Sequence, residues 1–260
     1  EQAYMNLNSE MELINGLNVF PVPDGDTGTN MGLTLKAAID HLESKELNEP
    51  RDVAKAIAKG ALMGARGNSG VILSQILGGF AQGISESEIL NPQVFVNGLV
   101  GAVEKSYKAV IKPIEGTMLS VIRLTAEAMS TYDLHEIDFE QFFDHLLLES
   151  NKALEETPNM LPILKESGVV DAGGRGLTSI FKGFQKAVLG EGVAFVKEPI
   201  KVTEEVEYHQ SAADIEFHYC TEFIINQVHG DTQQLKQFIN SLGDSMVFVE
   251  DDDLVKVHVH

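Results

Sequence analysis

The chain has 260 residues, of which 43% are hydrophobic and 22% charged, a composition typical of a globular protein rather than a disordered one. Its 39 acidic and 19 basic residues give a formal net charge of −20. That charge argues against non-specific binding to nucleic acid or anionic lipid, but it permits a phosphate ligand whose charge is neutralised by metal ions.

Residues 1–190 place apolar side chains at three- and four-residue spacing between dense helix start and stop signals, which predicts a mostly helical domain. We expect helices at residues 30–42, 50–63, 71–84 (capped by Asn68 or Ser69), 91–110, 116–132, 138–154, 161–166 and 174–189. Residues 191–214 are typical of a linker. A small α/β unit follows, with strands at 216–226, 245–250 and 254–260 and a helix at 232–242.

The most informative segment is the acidic loop, residues 18–31, which reads NVFPVPDGDTGTNM. Two prolines stiffen it, and Asp24 and Asp26 lie two residues apart, so both carboxylates can converge on one site. Oxygen ligands of this kind suit Mg²⁺ that bridges carboxylates to nucleotide phosphates. The alternative is an Asx turn that caps the following helix; the surrounding pattern favours the metal site.

A glycine-rich segment, residues 60–70, precedes an apolar helix and carries four glycines. Backbone N–H groups at such a helix start form an anion site, to which Asn68 and Ser69 can add side-chain donors. No lysine follows, so the segment is not a Walker A loop, and neutralisation of phosphate falls to metal with help from Arg66. The alternative is close packing of helices through the glycines. Helix starts at Thr117 and at residues 171–177 are weaker signals of the same kind.

The single cysteine excludes an intrachain disulfide and predicts a cytoplasmic protein. Cys220 lies in one predicted strand, while His258 and His260 point to the same face of another, with Cα atoms about 6.5 Å apart. If the two strands are neighbours, the three side chains can bind Zn²⁺, with His218 as a candidate fourth ligand. The alternative is a buried free cysteine with two surface histidines.

Three motifs together resemble a known family: the acidic loop, GARGNSG at 64–70 and DAGGRGL at 171–177. The chain is similar to the bacterial fatty acid kinase catalytic subunit, whose first domain is similar to the nucleotide-binding L subunit of dihydroxyacetone kinase. The resemblance implies a mainly α fold, with an eight-helix barrel as the ATP-binding domain at 1–195. A linker and a small α/β middle domain then occupy 196–260, and a C-terminal domain is expected beyond His260.

The resemblance also implies the chemistry: a γ-phosphoryl group passes from ATP, held with two Mg²⁺ ions, to a fatty acid carboxylate on a separate fatty-acid-binding protein. We therefore expect ATP or ADP and Mg²⁺ as cofactors, with Zn²⁺ as a further candidate, and a cytoplasmic homodimer with a role in phospholipid metabolism.

The residues that match the family's motifs divide into three groups. Asp24 and Asp26 are expected to bind Mg²⁺, and Cys220, His258 and His260, with Arg175, to serve catalysis, the first three also as candidate zinc ligands. The expected nucleotide-binding residues are Asn18, Thr27, Thr29, Asn30, Gly67, Asn68, Ser69, Gly70, Thr117, Met118, Asp171 and Gly173. One departure concerns a third aspartate that the dihydroxyacetone kinase pattern places before the pair; Asn18 is the nearest polar candidate here.

Two other functions stay open. One is dihydroxyacetone phosphorylation on the same fold, which the middle domain argues against because the L subunit resembles only the helical domain. The other is a non-catalytic module that senses nucleotide or is stabilised by zinc. ATP turnover with and without a fatty-acid-loaded partner protein would distinguish these functions.

Overall fold

A computed structural model describes residues 1–43, 45–192, 219–251 and 254–260. Its helices are α1 Gln2–Ser9, α2 Met11–Gly16, α3 Thr27–Glu43, α4 Pro50–Gly64, α5 Gly67–Gly83, α6 Pro92–Ala109, α7 Met118–Met129, α8 Phe139–Glu155, α9 Thr157–Met160, α10 Pro162–Ser167, α11 Ala172–Val188 and α12 Gln233–Asn240. Its strands are β1 Thr221–Asn226, β2 Val247–Asp251 and β3 Leu254–Val259. The predicted mainly α domain followed by a small α/β unit is confirmed.

Local chemistry sets several helix starts where the sequence predicts them. Proline occupies the first position of α4 and of α6, where its missing N–H costs nothing. The Asn91 side chain accepts a hydrogen bond from the Val94 amide, and the Asp138 side chain accepts one from the Gln141 amide, so each caps its helix.

Three helices begin earlier than predicted. α3 begins at Thr27 rather than residue 30, α5 at Gly67 rather than 71, and α11 at Ala172 rather than 174. Asn68 and Ser69 consequently lie in the first turn of α5, and Arg66 is its N-cap. These first turns are rich in glycine, threonine and asparagine, which have low helix propensity and resemble a loop in the sequence. Helices α1, α2 and α9 were not predicted individually.

Contacts between helices run in a closed ring. In order around the ring, α1 packs on α3, α3 on α5, α5 on α6, α6 on α7, α7 on α8, α8 on α11, and α11 returns to α1. Helix α4 lies across α3 and α5, which brings the bundle to eight helices. Its core contains a cluster of aromatic rings: Phe95 meets Phe142 and Phe143 edge to face, with centroids 5.2 and 5.4 Å apart.

The three strands form one antiparallel sheet in the order β1-β3-β2. One face packs on α12 through apolar residues such as Phe223, Val257 and Ile239. On the other face, Val247 and Val249 pack against Leu62 and Val71 of the bundle. The sheet therefore closes over the connection between α4 and α5.

The predicted domain boundary at residue 195 and the linker at 191–214 fall almost entirely outside the described residues, and the boundary stays a prediction. His218 also lies outside them. None of the helices described is long and apolar enough to cross a bilayer.

Candidate functional site

A cavity of about 570 Å³ lies between the bundle and the sheet, a size typical of small-molecule sites. It is lined by the acidic loop, the starts of α5, α7 and α11, the segment that joins α6 to α7, the segments before β1 and β2 and the end of β3. The lining includes Asn18, Phe20, Asp24, Asp26, Thr27, Asn30, Gly67, Asn68, Ser69, Ile72, Lys112, Thr117, Met118, Asp171, Gly173, Cys220, Asp244, His258 and His260. Most of the predicted site residues thus meet at one place.

Two asparagines hold the acidic loop: Asn18, its first residue, and Asn15, which precedes it. Asn18, which is buried, donates from Nδ2 to Asp24 Oδ1 at 2.5 Å. Asn15 Oδ1 accepts from the amides of Gly28 and Thr29 at 2.8 and 3.2 Å, and so satisfies the free N–H groups at the start of α3. The role of Asn15 was not predicted, because its partners lie 13 and 14 residues further along the chain.

The two aspartates of the loop are close neighbours in a partly buried setting. Burial raises the pKa of Asp26 to about 6, and the charge of Asp24 together with a hydrogen bond between the two carboxyl groups raises it in the same direction. A hydrogen bond to the Asn30 side chain and the electrostatic interaction with His258 lower the pKa of Asp26. Two carboxylates held together in this way favour a bound cation.

The first turn of α5 lines the cavity, and its Gly67 amide donates to the Glu222 carboxylate. Gly67 has φ +58°, in the left-handed region, and a Cβ there would collide with the Asn30 side chain, so glycine is required for the turn itself. The Asn68 Oδ1 atom is buried and has no hydrogen-bond partner among the described residues. Gly60 and Gly64, in contrast, lie where α4 approaches α3 closely, as the packing alternative predicted.

The structure brings Cys220, His258 and His260 together, although Cys220 lies outside the strand in which it was predicted, because β1 begins only at Thr221. Cys220 lies directly before β1, and Thr221 pairs with Val259, so β1 and β3 are neighbours. The Cys220 Sγ atom lies 3.4 Å from His258 Nε2, which lies 3.2 Å from His260 Nε2. The ligand atoms of the three residues all lie within 4.8 Å of one another, and we call them the Cys-His-His cluster.

Backbone pairing holds His260 in this cluster. Its N–H donates to the Asp244 carbonyl at 3.0 Å, and its own carbonyl accepts from the Asp244 amide at 2.9 Å. A Cβ on the preceding Gly243 would collide with the His260 carbonyl oxygen. Gly243 therefore allows the close approach that places His260.

Burial and neighbouring charges shift the pKa values of residues in the Cys-His-His cluster. Cys220 is exposed as a residue, but partial burial of its thiol and the negative charges of Glu222, Asp26 and Asp24 raise the thiol pKa to about 11. Burial and the neighbouring His258 lower the pKa of His260, which favours the neutral imidazole that metals bind. These interactions place the aspartate pair and the cluster in one electrostatic environment.

Two charged residues on the same sheet face were not predicted. Glu222 Oε1 accepts from the Gly67 amide at 2.7 Å and lies 2.9 Å from His258 Nδ1. Burial raises the pKa of Glu222, but interactions with His258, the Gly67 amide and Lys256 outweigh burial and lower it. The period-two alternation that pairs His258 with His260 also places Lys256 on their face, so the signal was present in the sequence.

The starts of α7 and α11 form the opposite wall. Asp171 is buried; its Oδ2 accepts from the Gly174 amide at 2.7 Å and caps α11. Burial raises its pKa to about 6, while hydrogen bonds from the Gly174 and Met118 amides oppose the rise. The Thr117 hydroxyl donates to the Ile114 carbonyl rather than capping α7.

Three predicted site residues do not line the cavity. The Thr29 hydroxyl accepts from Asn15, Gly70 packs beside Thr34, and Arg175 pairs with Glu10 at 3.1 Å. The structure therefore does not bring the guanidinium of Arg175 to the cavity, and its catalytic role stays a prediction. Lys112 lines the cavity, although the sequence reasoning did not select it.

Comparison with known proteins identifies the helical part. The DAK2 domain family matches residues 21–186. This chain belongs to the DAK2 domain family. A second family, the middle domain of proteins like the fatty acid kinase, matches residues 216–260, so this DAK2 domain protein carries both parts of the predicted resemblance.

Curated relatives of this DAK2 domain protein are longer than the chain. Uncharacterized proteins of Staphylococcus aureus (strain USA300) and Staphylococcus saprophyticus are each 40% identical over 269 residues, covering 100% of this chain and 49% of their own length. The chain thus spans about half the length of the curated relatives it matches.

Solved structures share the fold. The dihydroxyacetone kinase of C. freundii in complex with AMP-PNP and Mg²⁺ is 17% identical, with a TM-score of 0.54, over 72% of this chain and 32% of that one. Its native form is 18% identical, with a TM-score of 0.52, over 72% and 33%. At this level of identity the likeness establishes the fold of the helical domain.

Proposed function

We propose that this protein is a kinase subunit that transfers the γ-phosphoryl group of ATP to a fatty acid carboxylate held by a separate fatty-acid-binding protein. The observation that carries the proposal is one cavity that joins an aspartate pair, a helix start and a Cys-His-His cluster. The family of the middle domain, named for a fatty acid kinase, supports the acceptor. The related kinase with bound AMP-PNP and Mg²⁺ supports the donor.

The residues present fit magnesium and nucleotide. Asp24 and Asp26 supply oxygen ligands side by side, and Asn18 holds Asp24 in place. The unpartnered Asn68 Oδ1 lies at the start of α5, where a metal-bound water or a nucleotide hydroxyl would satisfy it. Magnesium would neutralise phosphate charge; the amides at the α5 start would bind and orient the phosphate oxygens.

Phosphoryl transfer to a carboxylate needs no general base. A carboxylate oxygen of the fatty acid attacks the γ-phosphorus, and a new P–O bond forms. The bond from the γ-phosphorus to the bridging oxygen breaks, and ADP leaves with that electron pair. Because an ionised carboxylate carries no proton, the cavity needs only to position both substrates and to stabilise charge. A dihydroxyacetone hydroxyl, in contrast, would require a proton acceptor.

The Cys-His-His cluster fits zinc. With Zn–N near 2.05 Å and Zn–S near 2.3 Å, a tetrahedral site separates two nitrogens by about 3.3 Å and nitrogen from sulfur by about 3.6 Å. The His258 and His260 Nε2 atoms are 3.2 Å apart, which matches the first value, and Cys220 Sγ lies 3.4 Å from His258 Nε2 and 3.5 Å from its Nδ1. Zinc bound there would supply a Lewis acid beside the phosphate site.

The assignment of the aspartates is tested by Asp24→Asn and Asp26→Asn. Each variant should lose most of the affinity for Mg·ATP in calorimetry while keeping its helical circular dichroism. Asp52→Asn, which changes an exposed acid on α4, serves as the matched control and should bind as the wild type does. Wild-type affinity in both cavity variants would overturn the assignment.

The acceptor is tested in the full-length protein with a fatty-acid-loaded partner. Cys220→Ala and His258→Ala should spare ATP binding and sharply reduce acyl phosphate formation, and zinc content should fall with Cys220→Ala. Turnover with dihydroxyacetone but not with fatty acid would favour the alternative kinase, and nucleotide binding with no turnover would favour the non-catalytic module.

The protein is further proposed to be a homodimer. The resemblance supports this, and in the described part of the chain β1 and β2 are both edge strands, which favour pairing. Sedimentation at micromolar concentration should give twice the monomer mass; a monomer would contradict the proposal.

A further inference from the structure

Glu222 contacts the start of α5 and the Cys-His-His cluster through a single oxygen. The Gly67 amide donates to Oε1 at 2.7 Å, and His258 Nδ1 lies 2.9 Å from the same atom. Glu222 pairs with His258 across β1 and β3, so its side chain projects from the sheet face that carries the histidine. One carboxylate therefore joins the sheet to the start of α5.

The contact with Glu222 determines which ring nitrogen of a neutral His258 carries the proton. An ionised carboxylate can only accept hydrogen bonds, so a neutral His258 carries its proton on Nδ1 and leaves Nε2 bare. That bare nitrogen lies 3.2 Å from His260 Nε2, while Cys220 Sγ lies beside the ring, 3.4 Å from Nε2 and 3.5 Å from Nδ1. Carboxylates that accept from histidine in this manner fix both the tautomer and the ring orientation.

The contact with Glu222 also holds the start of α5 against the sheet. The Gly67 amide belongs to the first turn, whose N–H groups have no partner within the helix. On the other side of the same connection, Lys256 Nζ donates to the carbonyls of Leu62 and Ala65 at 3.2 and 2.7 Å. Strands β1 and β3 thus hold both sides of the turn between α4 and α5, and Glu222 is the contact nearest the cavity.

We propose that Glu222 is a positioning residue for phosphoryl transfer, setting the Cys-His-His cluster against the first turn of α5 and holding His258 with Nε2 free. The proposal rests on the proposed function for its reaction, whereas its geometric part does not depend on any substrate. The carboxylate acts through Gly67 and His258, so the residue is not itself assigned to bond making.

The geometric part is tested with Glu222→Ala and Glu222→Gln. Glutamine keeps one oxygen that can accept from both Gly67 and His258, so it is the matched control for alanine. In protein labelled with ¹⁵N-histidine and kept free of metal, His258, assigned by its loss in His258→Gln, should be protonated on Nδ1 in the wild type and in Glu222→Gln. In Glu222→Ala the two tautomers should mix, and the Gly67 amide proton should move upfield.

The kinetic part is tested in the full-length protein with ATP and a fatty-acid-loaded partner. Glu222→Ala should lower kcat about 10- to 100-fold, the range found when the partner of a ligating histidine is removed, with the KM for ATP changed far less. Glu222→Gln should retain most of the activity. Thermal unfolding of each variant distinguishes mispositioning from loss of the fold.

An unchanged His258 tautomer and an unchanged Gly67 amide in folded Glu222→Ala would overturn the proposal. Equal losses in the glutamine and alanine variants would also overturn it, because they would show that charge rather than positioning matters. Absence of acyl phosphate formation by the wild type would overturn the proposed function instead, and the two spectroscopic measurements would still decide whether Glu222 holds both groups.

Discussion

Lys256 is a buried lysine whose removal should destabilise the junction between sheet and bundle. It is 3% exposed, and its Nζ donates to the Ala65 and Leu62 carbonyls at 2.7 and 3.2 Å. Those residues are themselves only 2% and 6% exposed, so water has little access to their carbonyl groups. Lys256→Met keeps the length of the side chain and removes its donor.

The expected change in the free energy of unfolding is the difference between two opposing effects. Each buried carbonyl left without a donor costs about 1–3 kcal/mol, or roughly 2–6 kcal/mol for the pair. Against this, methionine avoids the burial of an ammonium group, a penalty that already lowers the pKa of Lys256. The carbonyls lie at the negative end of α4, where a cation is favourable, so we expect a net loss of about 2 kcal/mol in the free energy of unfolding.

Urea denaturation monitored by circular dichroism measures this loss, with Lys182→Met on the exposed surface of α11 as the control. Hydrogen exchange should accelerate first at the Gly67 amide, since Lys256 holds the turn that precedes it. A Lys256→Met variant as stable as the wild type would refute the reasoning, because it would show that ammonium burial costs as much as the two hydrogen bonds contribute.

Three further predictions concern the cavity walls. Gly243→Ala should lower stability by about 1–3 kcal/mol and reduce zinc content, because its Cβ would displace the His260 carbonyl; thermal unfolding and metal analysis check this, and wild-type values for both would contradict it. Asp171 has a folded pKa of about 6, above its unfolded value near 3.9, so the wild type should lose stability as pH rises from about 4 to 6. Asp171→Asn keeps the cap without ionising, so it should abolish that loss and gain about 3 kcal/mol at pH 7; the same dependence of stability on pH in the variant and the wild type would argue against this. Because Asp26 has a pKa of about 6, Mg·ATP affinity should be roughly tenfold weaker at pH 5 than at pH 8, and binding near pH 5 should release a proton, measured calorimetrically in two buffers; a flat profile would exclude Asp26 as a ligand.

Elements whose signals are local can be predicted from the amino-acid order alone. Asn91 and Asp138 cap the helices they precede, and proline begins α4 and α6, because each of these effects involves residues at most three positions apart. Strand alternation likewise placed His258 and His260 on one face without knowledge of their neighbours. The acidic loop stood out because two carboxylates and two prolines fall within a few residues.

Features that depend on partners distant in the chain become visible only once the chain is folded. Helices α1 and α2 are short, and helices of that length depend on packing rather than propensity; the buried Asn6 of α1 donates to the Ser179 carbonyl, 173 residues away. The same holds for the early start of α3, whose cap is Asn15, and for Arg175, which pairs with Glu10 rather than facing the cavity. Glu222 is the clearest case: its strand and its face follow from alternation, but its contact with Gly67, 155 residues away, exists only because the sheet closes over the bundle.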